Sequence, residues 1–507
     1  MTAVAVASSS QLAADAGATV AAQGGNAVDA AISACLTSMT TEPGVCALGG
    51  AGFVTVWVPG QRPLTIDGYA AVPGLGLSEP RAGQAAWEVE LSYGGGVRTA
   101  VGYGSVGVPG GLAAMGQAAE RFGRLPWREV VEPSRAIAQA GFPLPFACHQ
   151  YLQTSADLVY GWEPHSREVF LNSENQLVAA GETMRLPYLA ETLERIGRCG
   201  VQDFYTGDLG HAIADYIYDN GGALNREDMA QYRAIERPAL DVPLDEWHVG
   251  TNPAPAIGGA TLAAMLLMME KVRHAGWDAA SVKRLVEVQH AVIAYRHRVL
   301  DESADLGKDV RRLLEMARAN ELPNTSGSTV HTSAVDEEGR GCSITMSSGY
   351  GAGAVPPGTG IWLNNCLGEL ELNRGGFEAM QPGARLVSNM APTVARSGDG
   401  RVLSAGSPGA DRITSAILQV LVNYMHFGMP LEKAVAHPRA HVEKDGDGYR
   451  VAYERGLPME AVDLPGRPFD QNSMFFGGVG VAEWDPDKGF TVAADPRRQG
   501  GTAIAGR

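Results

Sequence analysis

An α+β fold, with sheet layers covered by helices, is what this sequence predicts. Three observations predict it. Up to a polar segment at 321–328, most of the chain shows the 3.6-residue apolar period of amphipathic helices. Beyond that segment the period shortens to alternation, and three pairs of alternating stretches each turn back across a short Gly- and acid-rich link. A long apolar helix lies between the last two pairs.

Taken in order, Ala-rich helices are expected over 13–23 and 27–39, broken by Gly24-Gly25-Asn26. A strand over 53–58 has β-branched and aromatic composition and stops at Pro59-Gly60. Amphipathic helices follow over 112–122, 127–139, 183–198, 210–220, 261–274, 279–297 and 311–320. The first hairpin joins 329–335 to 342–347 across Asp336-Glu337-Glu338-Gly339. The second joins 393–395 to 402–404 across Gly398-Asp399-Gly400, and the third joins 441–443 to 449–452 across Asp445-Gly446-Asp447-Gly448. The helix between these two hairpins covers 413–425.

Composition narrows the function. The 507 residues, 45% of them hydrophobic, suffice for a large core. Forty basic against 56 acidic residues leave a formal charge of −16, which disfavours a phosphate-binding surface and therefore nucleic acid as a partner. The longest apolar stretch, 254–269, contains Pro255, Gly258 and Gly259 and is shorter than the roughly 20 residues of a membrane span. The N-terminus has no basic n-region or apolar h-region, so the expected address is the cytoplasm, with no membrane partner. Six cysteines without ligand or scaffold spacing read as reduced, mostly packed residues. Glycine, 64 of 507 residues, is about twice its usual share and is clustered, which points to loops with unusual backbone angles or close approaches.

Few motifs carry chemistry. Gly102-Tyr103-Gly104-Ser105-Val106-Gly107 fits the dinucleotide fingerprint, but Pro109-Gly110-Gly111 delays the helix that the fingerprint needs, so a structural loop is the expectation. His437 and His441 have zinc-helix spacing, yet Pro438 intrudes and no Glu adjoins the first His, so no metal is expected. Thr329, opening a strand after a Gly/Ser-containing segment, suits an N-terminal nucleophile. If the bond after Ser328 is cut, one residue then carries both a hydroxyl and an α-amine of pKa about 7.7–8.0 that can take its proton. The plainer reading of the same Thr is β-propensity alone.

The stretch from Thr329 to Asp336 with its hairpin, Gly358-Thr359-Gly360-Ile361-Trp362-Leu363-Asn364-Asn365, and Gly406-Ser407-Pro408-Gly409 resemble the γ-glutamyltransferase family of self-cleaving N-terminal-nucleophile (Ntn) hydrolases. Colinear with them are Gly24-Gly25-Asn26-Ala27-Val28-Asp29-Ala30-Ala31, Gly49-Gly50-Ala51-Gly52-Phe53, Gly107-Val108-Pro109-Gly110, Pro255-Ala256-Ile257-Gly258-Gly259 and Ala494-Asp495-Pro496-Arg497. The resemblance implies a four-layer αββα sandwich. It also implies autocleavage between Ser328 and Thr329 into a large fragment, 1–328, and a small one, 329–507, that stay associated as one structural domain. Thr329 is then the nucleophile and Ser347 its hydroxyl partner, where the family has Thr. Gly409 and Ala410 supply backbone N–H groups to the oxyanion, and Ser388 and Asn389 match a carboxylate-binding Ser-Ser pair. No cofactor or metal is implied, and the partner is a small-molecule acyl donor.

The departures fall on substrate recognition. Tyr69 stands where the family has an Arg that clamps the α-carboxylate of the glutamyl group, and a phenol cannot replace a bidentate guanidinium. Gly349 replaces an Asn, Cys366 a Gln, and the amine-binding acid becomes Glu369. Arg81 and Arg98 are candidates for a replacement charge. The expectation is an acyltransferase or hydrolase with altered specificity, cleaving an amide-type or carbon–carbon acyl bond in specialised, antibiotic-precursor metabolism. The alternatives are a conventional glutathione-type γ-glutamyl hydrolase and an uncleaved, non-catalytic binding protein.

Overall fold

The computed structural model describes residues 2–92, 96–172, 174–270, 276–319 and 330–506. Two antiparallel sheets lie face to face. The first has seven strands in the order Gly501–Ala505, Val4–Ser8, Val330–Asp336, Gly341–Ser347, Ala51–Trp57, Leu64–Gly68 and Ile235–Pro238. The second has six, in the order Gly489–Ala493, Gly480–Asp485, Val402–Gly406, Thr393–Ser397, Trp247–Thr251 and Leu240–Leu244. Helices Gln11–Ala22, Ala27–Thr41 and Gly111–Phe122 cover the outer face of the first sheet. Ile257–Met269 and Ile413–Leu421 cover that of the second. The layers are therefore helix, sheet, sheet, helix, as the resemblance implies.

Local chemistry explains several boundaries. Asn26 caps Ala27–Thr41 through a capping box with Asp29, and Gly24 just before it has φ +102°. Ile257–Met269 is apolar on every side and buried at every position. It is sheltered by the sheet and by Ala279–Tyr295, Leu306–Ala319 and Ile413–Leu421, which is how so apolar a helix exists in water. No helix among the described residues is long and apolar enough to cross a membrane.

The layer between the sheets is unusually polar. Along Val330–Asp336, Val330 and Ala334 face the helical core, while His331, Ser333 and Val335 face the second sheet. Polar groups there bond across the gap: Ser333 Oγ donates to Gly480 O (3.1 Å), Ser343 Oγ to Ala405 O (3.0 Å) and Ser404 Oγ to Cys342 O (2.8 Å). Such buried bonds set one sheet against the other. His331 sits between Thr345 Oγ1 (3.0 Å) and Ser333 Oγ (2.7 Å), and burial pushes its pKa down to about 3, so the ring is neutral.

The expected three hairpins are all present, as Val330–Asp336 with Gly341–Ser347, Thr393–Ser397 with Val402–Gly406, and Ala440–Asp445 with Gly448–Glu454. The first part is mainly helical, as expected, and it also contributes six strands to the two sheets. Val4–Ser8 is buried along its whole length and so reads as an apolar run rather than an alternation. The helix expected over 183–198 begins only at Leu189, because Pro187 lacks an N–H and restricts its predecessor; Thr183–Met184 pairs with Phe142–Pro143 instead. All six cysteines are free, with Cys199 alone exposed.

Candidate active site

The Val330–Asp336 strand lies inside the first sheet, paired on one side with Val4–Ser8 and on the other with Gly341–Ser347. Val330 stands opposite Met346, and Ser347 is the last residue of the neighbouring strand. Thr329 and Ser328, singled out from the sequence as nucleophile and cleavage partner, lie outside the described residues. Ser347 is 2% exposed, and its Oγ accepts the Gly349 N–H at 2.8 Å.

From Ser347 a chain of contacts leads to the altered recognition residues. Gly349 has φ +65°, and a Cβ there would come within 2.3 Å of Asn365 Oδ1 and 3.2 Å of the Glu369 carboxyl carbon. Its lack of a side chain is thus a spacing requirement. Asn365 accepts the Tyr350 N–H at 2.7 Å and donates to Thr99 Oγ1 and Ala100 O, both at 2.9 Å. Asn364 ties Gly49 O (2.8 Å) to Gly107 O (3.0 Å). The fingerprint-like segment therefore ends as a loop clasped to the site, with Tyr103–Ser105 only a short 3-10 turn.

Tyr69 is 2% exposed and stacks on Phe53, with ring centroids 5.5 Å apart. Its hydroxyl donates to Glu369 Oε2 at 3.2 Å. Burial, reinforced by the charge of Glu371, pushes the Glu369 carboxyl up to about 8. Burial raises Glu371 too, and its Oε1 accepts the Tyr350 hydroxyl at 2.8 Å. This wall presents a phenol and a protonated acid at neutral pH rather than a fixed positive charge. Arg98 pairs with Glu88 on the surface, and Arg81 lies over the Tyr218 ring, so the structure puts neither candidate cation beside Tyr69. Arg385 does touch this residue, but by donating to the Tyr69 carbonyl oxygen at 3.2 Å from its place over the Tyr232 ring.

Ser388 and Asn389 adjoin the helix Ile257–Met269, whose Ile257 and Gly258 N–H groups donate to Ser388 O at 2.7 and 3.2 Å. Asn389 is 4% exposed, and neither of its amide atoms has a hydrogen-bond partner among the described residues. Gly409 and Ala410 form the sharp link from the strand Val402–Gly406 to the helix Ile413–Leu421, with φ +134° and +54°. A Cβ on Gly409 would lie 2.7 Å from Gly477 Cα, so the close approach demands glycine. The next residue, Asp411, faces Glu371 closely enough to raise its carboxyl, which joins this turn to the Tyr350–Glu371 pair. Sequence reasoning missed Tyr350, Glu371 and Asp411. The Glu369-Leu370-Glu371 spacing was the one visible hint. Among the described residues no group of acidic, His or Cys side chains is arranged to hold a metal, and His441 instead lies against Ser415 and Asp411.

The comparisons with known proteins agree with this architecture. A family model described as Gamma-glutamyltranspeptidase matches residues 13–505. A glutathione hydrolase proenzyme of Pseudomonas aeruginosa is 31% identical, over 96% of this chain and 92% of its own. The acylase ACY 1 proenzyme of Pseudomonas sp. strain V22 is 28% identical, over 96% and 91%. The crystal structure of cephalosporin acylase from Bacillus halodurans superposes with a TM-score of 0.84 over 100% of this chain and 97% of that one, at 23% identity, which speaks for the fold. Matched along nearly its whole length by one model, the chain belongs to the γ-glutamyltranspeptidase family of Ntn-hydrolase enzymes.

Proposed function

We propose that the protein cuts itself between Ser328 and Thr329 and then uses Thr329 as an acyl-accepting nucleophile. The hydroxyl attacks the Ser328 carbonyl carbon, the peptide nitrogen leaves as the new α-amine, and water hydrolyses the ester that links the pieces. In the mature enzyme that amine takes the hydroxyl proton as Thr329 attacks an acyl donor. The Gly409 and Ala410 N–H groups face the developing oxyanion, and Ser347 bonds the nucleophile. Water or an amine then resolves the acyl-enzyme. The register that puts Val330 opposite Met346, one residue before Ser347, supports this reading.

The scissile bond is of the amide type, and the acyl group lacks the α-carboxylate of a glutamyl residue. One observation carries this: the Tyr69 hydroxyl is committed to a buried Glu369 whose carboxyl is pushed up to about 8, and among the described residues no guanidinium bonds that hydroxyl. Fragments 1–328 and 329–507 would remain together, because each contributes strands to both sheets.

Intact-mass spectrometry under denaturing conditions, on wild type and Thr329→Ala, tests the cleavage. Two fragments from the wild type and one chain from the variant are expected; an uncleaved wild type defeats the reading. Turnover of γ-glutamyl against butyryl p-nitroanilide tests the substrate class. A clear preference for glutamyl would overturn it.

A further inference from the structure

Asp411 poses an electrostatic problem. Its carboxylate follows directly on the Gly409–Ala410 turn, where an uncompensated negative charge would oppose a developing oxyanion. The turn itself is also strained, since Ala410 has a Cβ yet adopts φ +54°. Such a conformation persists only where its surroundings over-determine it.

Those surroundings are specific. Arg412 N donates to Gly409 O at 2.9 Å, closing the turn. Arg412 Nη1 bonds Asp411 Oδ1, while its Nε donates to Phe475 O at 2.9 Å and its guanidinium lies 4.5 Å above the Phe475 ring. On the other carboxylate oxygen sits His441, 1% exposed, with Nε2 3.3 Å from Asp411 Oδ2. His441 Nδ1 is 2.9 Å from Ser415 Oγ, which also lies 3.1 Å from Arg412 O.

Facing an ionised carboxylate, the ring sets a protonated Nε2 against Asp411 Oδ2, because a bare Nε2 would oppose lone pair to lone pair. Although the trio contains a Ser, a His and an acid, Ser415 is 2% exposed and is engaged by a helix carbonyl, so it is no nucleophile.

We propose that His441 is a positioning residue, acting through Asp411. With Arg412 it neutralises the carboxylate and fixes the Gly409–Ala410 N–H groups toward the oxyanion. This rests on the reading of Thr329 as nucleophile and of that turn as oxyanion donor. Two further groups face Asp411: Arg467, whose guanidinium lies 4.6 Å over the same Phe475 ring, and Glu371, whose carboxyl burial raises, which disfavours a second negative charge there.

The test uses the full-length, processed protein and p-nitrophenyl acetate, an activated ester that needs little recognition. It reads the single-turnover acylation rate, its saturation with ester, and acetyl mass on the 329–507 fragment. His441→Ala should slow acylation by about tenfold to a hundredfold with unchanged saturation, and His441→Gln, which keeps a donor toward Asp411, should recover most of the rate. In an Asp411→Asn background, His441→Ala should cost little more, since no charge is left to hold. Equal losses for Ala and Gln, fully additive losses with Asp411→Asn, or a loss confined to saturation would overturn the proposal. If His441→Ala does not fold, His441→Gln carries the test: a rate within about tenfold of wild type is expected, and a hundredfold loss overturns the proposal. A Thr329→Ala chain acetylated as readily as wild type defeats the underlying reading. Acetylation at Thr329 with indifferent His441 variants defeats the brace alone.

Discussion

The turn at Gly409–Ala410 and the wall formed by Tyr69 and Glu369, which we propose to border one site, are held in different ways. The turn joins a strand to a helix, and glycine contacts and backbone bonds fix its path, with Asp411 clamped behind it. The Tyr69 wall hangs on loops, and its character resides in a buried phenol, a thiol and two buried acids around the Tyr69–Glu369 hydrogen bond. Backbone N–H groups serve any acyl donor, so that part of a site can stay fixed while substrate changes. On the proposed reading, the side chains of this buried wall decide which donor enters.

Breaking the turn should have the largest effect. Gly409→Ala forces a Cβ to within 2.7 Å of Gly477 Cα at φ +134°, and acylation measured with p-nitrophenyl acetate should fall by about a hundredfold or more, with a comparatively small change in Tm. The wall should respond more gently, and through pH. Glu369 is held near 8 in the folded protein against 4.5 for the free group. Its contribution to stability is therefore full below about 4.5, is lost as pH rises toward 8, and is flat above that. Glu369→Gln has no such loss. Its Tm should exceed the wild-type value by about 2 °C or more at pH 8, with a smaller gap at pH 5, by differential scanning fluorimetry. A gap that narrows with pH would mean that Glu369 is ionised in the fold. The smallest effect belongs to Arg98→Ala. Both members of the Arg98–Glu88 pair are more than half exposed, so Tm should move by less than about 1 °C and acylation should not change.

What could be read from the sequence follows from how far apart the interacting residues lie. The hairpin after 329 was legible because Asp336 to Gly339 is a local turn signal between two alternating runs. Val4–Ser8 was not, since burial on both faces erases alternation. Tyr69 stood out only against the family's Arg. Its bond to Glu369 joins residues 300 apart, and the Asp411–His441 contact spans 30, so neither leaves a local pattern. Arg81 and Arg98 had the right charge, but only the folded chain reveals that each is engaged elsewhere.

One pairing in the first sheet has a topological consequence. Val4–Ser8 lies between Gly501–Ala505 and Val330–Asp336, with Val4 opposite both Ala505 and Asp336. The two ends of the described chain are thus ladder neighbours, and a short linker could join them without crossing the core. A rearranged gene that opened at position 329 and closed the old ends would encode the same sheets in a single uncut polypeptide. On the reading proposed above, such a permutant, once its initiator methionine is removed, would carry the free amine that the natural chain order provides by self-cleavage, separating the chemistry of maturation from the chemistry of turnover.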